Sequence, residues 1–470
     1  SDSFTNAHPR LDRHRSNCVQ ISNGLINPGL LQFMKSILCV LLFAVSTSLF
    51  IRGADWPEYQ GAGRQNRWTE DGTISDFAGG PPKRLWSAPV AAGYAGPTVA
   101  NEKVYVLDYA AKDSEERVVC VHANSGKEIW RYTYPTVYSD IDYAYGPRAA
   151  VTIADGLAYS FGMMGNLNCL NANDGTIIWS RNLDKEISIN MPIWGLTSSP
   201  LVEGDAVIVL PSAAKAGACV MAFQRKTGKE LWRAFNEKAG YVSPIMIEQG
   251  GKRVLVVWTG YRIAGMDPAS GKVYWEIPTK PNKMPINVPA PAVNKKGDKM
   301  FLSVFYDGSK LIELDQTQPA AKLLWARQGI NERKTDALHC MISPPFIKGD
   351  HIFGIDSYGQ FRCLEMGKGD RIWEDHRATL PGRWSTVFSV QQGEKTWMLN
   401  EAGELLIAEV SPAGYNEIGR VKIIEPTTPL KQRRSGVVLW SPPAFAMKSV
   451  FVKNDRELIR IDLAKPPKAN

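Results

Sequence analysis

The sequence predicts an all-β chain: a single eight-bladed β-propeller closed by an N-terminal strand that completes the last blade. Three observations predict it. An eleven-residue segment ending in tryptophan recurs five times. Its tryptophans continue through the chain at gaps of 43–53 residues. The last repeat stops one strand short, and a spare strand precedes the first repeat.

The repeat is clearest at Cys120-Val-His-Ala-Asn-Ser-Gly-Lys-Glu-Ile-Trp130. It returns at Cys169–Trp179, Ala222–Trp232, Gly265–Trp275 and Cys363–Trp373. Each copy has glycine four residues before the tryptophan and a small residue ten before it. The glycine suits a tight strand-to-strand turn at positive φ. The small residue leaves room for an indole to lie flat. Trp86 starts the series and Trp325 ends a degenerate copy, Asp315-Gln-Thr-Gln-Pro-Ala-Ala321 before it. A second degenerate copy ends at Glu417-Ile418-Gly419, with glycine where the tryptophan should stand. Modules at this period signal a repeat architecture.

In chain order, residues 1–33 show no hydrophobic periodicity and are expected to be an unstructured upstream extension. Met34-Lys35 then opens an apolar run, Ile37–Ile51, closed by Arg-Gly-Ala54. A basic residue, a short apolar stretch and small residues describe a secretory signal peptide over 34–54. The run is short for a membrane span, which needs about 20 residues. Retention as an anchor stays open. Residues 55–82 are polar and rich in Gly and Pro, and read as an irregular lead-in across the fold. The propeller is expected over 83–465.

Lys83–Pro89 is a lone strand with no repeat before it. Most later units open on a proline, as at Gly96-Pro97, Gly146-Pro147 and Ser199-Pro200. The seventh opens on Ser385-Thr386 without one. Turns such as Ala154-Asp-Gly156 and apolar runs such as Val207–Leu210 mark four short strands per unit. Val450–Lys453 and Glu457–Asp462 supply the second and third strands of the last unit, which then ends without a tryptophan strand. Closure by Lys83–Pro89 removes an exposed edge. A solenoid would need polar caps instead.

Composition is ordinary for a globular protein, with 44% hydrophobic and 22% charged residues. Of the net charge of +8, residues 1–54 supply +3 from five Lys/Arg and two Asp. The remainder has no block of like charge, so nucleic-acid binding is not expected. Five cysteines follow residue 54, an odd number. Three of them occupy the small-residue slot opposite the repeat tryptophan, and all read as buried thiols. There is no CxxC, HExxH, GxSxG or P-loop. His122, His339, His351 and His376 lack metal-ligand spacing. Asp140-Ile-Asp142 is the nearest thing to a paired-carboxylate motif, well short of the six to eight oxygens calcium takes.

The repeat, small–x–x–x–x–(Ser/Thr/Asp)–Gly–Lys–x–x–Trp in its best copies, resembles the tryptophan-docking motif of PQQ-like (pyrroloquinoline quinone repeat) β-propellers. That family includes quinoprotein alcohol dehydrogenases and the propeller subunit of the outer-membrane β-barrel assembly machinery. Asp55-Trp-Pro-Glu-Tyr-Gln-Gly61 is similar to the start of secreted bacterial members. The resemblance implies a central funnel. In an enzyme of the family it would hold PQQ, calcium, a neighbouring cysteine pair and an Asp base. No adjacent cysteine pair exists here. We therefore expect an exported, non-catalytic, monomeric scaffold in the periplasm or cell envelope, or secreted from the cell, without cofactor, binding a protein or small ligand. The alternative is a PQQ- and calcium-dependent alcohol or sugar dehydrogenase. A hydrolase or lyase has no motif to support it.

Function in propellers lives on connections that meet on one face. Those leading into the eight units carry Tyr94, Tyr145, Trp194, Tyr241, Asn287, His339, Trp384 and Trp440, with Arg148, Asp336 and Arg383 nearby. These eleven are the funnel-face candidates. The rings can line a ligand site or wedge between blades. Arg333–His339 and Lys431–Arg434 are the most polar of these connections.

Overall fold

The computed structural model describes residues 55–431 and 434–467; the expected signal peptide and upstream extension lie outside the described residues. Eight four-stranded antiparallel sheets follow one another. Blade 1 runs Thr98–Ala100, Lys103–Ala110, Glu115–His122 and Glu128–Pro135. Blades 2 to 7 repeat this order through Lys422. The first strands of blades 1 and 2 touch each other, as do those of blades 1 and 8, so first strands line the hub. Among the described residues helix is confined to Leu183–Ile187 and two 3₁₀ turns.

Blade 8 joins the chain ends. Arg84–Pro89 pairs with Glu457–Asp462, outside Ser449–Lys453 and Ala444–Ala446. Trp86 stands opposite Arg460 and Arg84 opposite Ile461. The expected ring closure is therefore present, and it removes the edge that an open last sheet would expose.

The repeat segment makes both intra-blade and inter-blade contacts. Within a blade, Cys120 opposes Trp130, Cys169 opposes Trp179, Ala222 opposes Trp232 and Cys363 opposes Trp373. The turn glycines have φ of 70, 74, 69, 72 and 77°. Each also receives the indole of the preceding blade, except Gly126, which receives Trp86 of the closing strand. A Cβ on Gly126, Gly175, Gly228, Gly271 or Gly369 would lie 2.5–2.7 Å from that ring. The indole N–H then donates to a carbonyl at the same turn, as in Trp86 to Ala123 (2.7 Å) and Trp179 to Arg225 (2.9 Å).

Three joints depart from this pattern, each where the sequence is degenerate; at the seventh-blade turn Trp373 still donates to the Ser411 carbonyl (2.9 Å) but rests on no glycine. The fifth-blade turn lacks glycine, so Trp275 lies over Gly265 of its own blade and donates to Gln249 (3.0 Å). Gln249 passes the bond on to the Ala320 carbonyl. At Gly419 no indole exists, and Phe77 of the lead-in packs there instead. Phe77 and Trp68 join Trp397 and Phe445 in an aromatic cluster between blades 7 and 8. The five described cysteines are unpaired and buried. Burial pushes the Cys120, Cys169, Cys340 and Cys363 thiols up to about 12, so they behave as small apolar groups.

The lead-in crosses the hub. Trp56 exchanges two backbone hydrogen bonds with Val99 of blade 1, and the Pro57 carbonyl accepts from Ile153 of blade 2. Arg64 is buried and holds the Ser199 and Pro244 carbonyls, and that of Pro200, while Glu58 neutralises it at 2.7 Å. Asn66 and Trp68 bond Gln391 of blade 7, and Ile74 bonds Leu463 of blade 8. No helix among the described residues is long and apolar enough to cross a membrane.

Candidate ligand cavity at the hub

The connections that lead into the blades converge because each first strand starts beside the axis. All eight contribute to a cavity of about 140 Å³, closed on one side by Tyr59 of the lead-in. Six candidates named from sequence line it: Tyr94, Arg148, Trp194, Tyr241, Trp384 and Trp440. Trp194 and Trp384 come from the third and seventh connections, on opposite sides of the ring, and their rings meet edge-on at 5.9 Å. Tyr143 reaches over from the second connection to Trp384 (6.0 Å) and Trp440 (6.1 Å). Its hydroxyl donates to the Lys431 carbonyl at 2.7 Å. Tyr143 and Trp384 both hold left-handed backbone, φ 55 and 69°. Such strain persists only where surrounding structure fixes it, and it clusters at ligand sites.

Arg148 is the one cation on the cavity wall among the described residues. Its guanidinium lies over the Tyr94 ring, 4.7 Å from the centroid. It donates to the Tyr143 carbonyl (3.0 Å) and points at Met163 Sδ. No carboxylate among the described residues pairs with it. Burial lowers its pKa, and only tyrosines oppose that shift. Two further polar atoms are buried without partners: the Tyr94 hydroxyl and Trp384 Nε1. Burial raises the Tyr94 hydroxyl well above its usual value and takes that of Tyr241 up to about 12, so both stay neutral donors.

The other five candidates lie outside the cavity. Tyr145 sits beneath the Lys431 ammonium at 5.0 Å. Asn287 is buried and clamps the Trp258 and Thr259 carbonyls. Asp336 pairs with Arg327 at 2.9 Å. His339 is spent on backbone, accepting from Gly329 N–H and donating to the Phe305 carbonyl. Arg383 pairs with Glu332 and stacks on the back of Trp384 at 4.3 Å. Sequence reasoning missed Tyr59, Tyr143 and the apolar floor of Val288, Met341 and Ile342. Tyr143 stands four residues before Pro147, two before Tyr145 on the same connection, and its left-handed backbone was not readable from the sequence.

Among the described residues no three His, Cys, Asp or Glu side chains gather as a metal site, Asp140 and Asp142 included. Among the described residues the wall carries no carboxylate or amide side chain. Its Thr197, Ser199 and Ser243 hydroxyls are engaged with backbone.

The family model described as outer membrane protein assembly factor BamB matches residues 114–375, more than half of the chain. The chain belongs to that family. No curated protein matches it in sequence. Among solved structures, BamB from Moraxella catarrhalis is similar at 14% identity and TM-score 0.55, covering 82% of this chain and 99% of that one. Quinohemoprotein alcohol dehydrogenase from Comamonas testosteroni is similar at 13% and 0.59, covering 89% and 82%. A europium-containing methanol dehydrogenase is similar at 13% and 0.60, covering 87% and 89%. At these identities the likeness establishes the propeller fold, which BamB and quinoprotein dehydrogenases share, and leaves function to the site.

Proposed function

We propose that this protein is an exported, non-catalytic binding propeller of the cell envelope, and that its hub takes a small flat organic anion. The observation that carries this reading is Arg148, a partly buried cation without a carboxylate partner, facing an aromatic box. A buried charge is stabilised only by pairing and hydrogen bonds. A ligand carboxylate would pair with Arg148, and the unpartnered Tyr94 hydroxyl and Trp384 N–H would donate to its polar edge. Trp194, Trp384 and Trp440 would hold its ring by stacking. With one water needing about 10–15 Å³, the space suits a ligand of roughly ten heavy atoms. The envelope location rests on the family, whose name places it at outer-membrane assembly.

The dehydrogenase alternative needs a calcium–quinone pair and a base. The cavity wall does not fit them. Calcium takes six to eight oxygens, and among the described residues this wall has no carboxylate and no free hydroxyl beyond its tyrosines. No catalytic step is therefore assigned to it.

The test is a tryptophan-fluorescence titration with indole-3-carboxylate and its neutral amide. The carboxylate should quench, and the amide should bind at least about tenfold more weakly, since a charged hydrogen bond contributes about 1.5–3 kcal/mol. Arg148→Met should erase that preference. Reduction of a dye by alcohol after adding PQQ and calcium would overturn the reading.

A further inference from the structure

We infer that the hub has a second site, on the other side of the lead-in: a basic groove that takes an acidic, extended peptide by backbone pairing with the inner edges of blades 4, 5 and 6. The groove encloses about 540 Å³ and is lined by the first strands of those blades and by Gln60 and Gly63–Arg67 of the lead-in.

Strand register carries the first part of the argument. Gln249 and Lys252 close the turn over Gly250-Gly251, both at positive φ, so they form the hydrogen-bonded pair of a two-residue hairpin. Glu248 and Arg253 are then a non-bonded pair, and Glu248 aims its N–H and C=O away from Lys252–Trp258, into the hub. The same phase holds at Val293 in blade 5 and Ile347 in blade 6. Val99, Ile153 and Gln391 occupy the equivalent positions in blades 1, 2 and 7. There the lead-in already takes the inward groups, through Trp56, Pro57, Asn66 and Trp68. Trp56 and Pro57 are consecutive and serve consecutive blades, so one extended residue per blade is the step that this hub accepts. The lead-in cuts across from Arg64, at blades 3 and 4, to Asn66, at blade 7. It leaves Glu248, Val293 and Ile347 on the groove wall, with no backbone partner for their inward groups among the described residues.

Charge selects the occupant. Arg67, Lys295 and Lys296 line the groove with no carboxylate partner among the described residues. Arg64 and Arg253 also line it, paired to Glu58 and Glu203. Glu248 is the one carboxylate among the described residues that line the groove. The chain's own ends outside the described residues carry the wrong sign: residues 1–54 hold five Lys/Arg against two Asp, and 468–470 contribute Lys468. The occupant is therefore a segment of a partner protein, rich in Asp or Glu.

Glu248 makes the test sharp, because charge and backbone predict opposite outcomes there. Its side chain is 79% exposed. Glu248→Ala removes a repelling carboxylate and should tighten binding of a labelled peptide of alternating glutamate and threonine. Glu248→Pro removes the same charge and the inward N–H, spares the bonds to Lys252–Trp258, and should weaken binding about tenfold relative to Glu248→Ala. Lys295→Glu with Lys296→Glu should weaken it further. A lysine–threonine peptide should not bind. The same acidic peptide N-methylated at alternate residues keeps its charge but loses its donors, and it should bind poorly to the unaltered protein, whatever Glu248→Pro does to folding. Equal affinity for the methylated and plain peptides, or inorganic polyphosphate binding as tightly as the peptide, would overturn strand pairing and leave only a basic surface.

Discussion

His339 and Arg148 are both polar residues beside a blade opening, and nothing in their local sequence separates them. The structure does. His339 is 1% exposed, with Nδ1 donating to the Phe305 carbonyl and Nε2 accepting from Gly329 N–H, which requires the neutral ring. Burial, the larger effect, holds its pKa below the usual value of 6.5. The unfolded chain therefore takes up a proton before the folded one. His339's contribution to stability is complete above about pH 6.5 and is lost as pH falls below it. A thermal melt should show the protein weakening from about pH 7 to pH 5, and His339→Gln should be less stable throughout but flatter across that range. An unchanged slope in the variant would assign the pH dependence to other groups. Arg148→Met should behave in the opposite way. It removes a charge whose burial no carboxylate among the described residues offsets, so stability should hold or rise while anion binding disappears.

The tryptophan joint shows how far periodicity could be followed from the sequence alone. Trp179 and Cys169 are ten residues apart and face each other on neighbouring strands, so a local count finds them. Trp179 and Gly228 are 49 residues apart, one full repeat, and only ring geometry brings them together. The lead-in was less legible still. Tyr59, Arg64 and Phe77 fill the hub and the defective joint from a segment with no periodicity, because their positions answer to gaps left by other blades. A matched pair of glycines tests the joint. Gly204 and Gly228 both have positive φ, 54 and 69°. A Cβ on Gly204 meets nothing within 4 Å, whereas one on Gly228 falls 2.7 Å from Trp179. Gly204→Ala should cost about 1 kcal/mol, for the left-handed backbone alone. Gly228→Ala should cost about 3 kcal/mol, since the indole must also shift. Equal losses in denaturant unfolding would mean that the ring does not rest on the turn.

At the scale of the whole molecule, closure decides whether the blades stand or fall together. Arg84–Pro89 supplies the outer strand of blade 8, and its Trp86 docks on Gly126 of blade 1, so one short segment bonds both sides of the seam. An open array would treat the loss of an end strand as a local event, because repeats in a solenoid contact only their neighbours. A closed ring would not: removing the segment bares the Glu457–Asp462 edge and empties the indole site on blade 1 at the same time. Replacing residues 83–89 with a glycine–serine linker of equal length, which keeps the lead-in, should cost at least about 3 kcal/mol, the least expected for a buried tryptophan. Amide exchange should speed up in blades 1 and 8 alike, and a synthetic peptide spanning 83–89 should restore both. Faster exchange in blade 8 alone would describe a ring whose seam is held by the hub, through Trp56 and the Trp68–Phe445 cluster, with the shared strand contributing little.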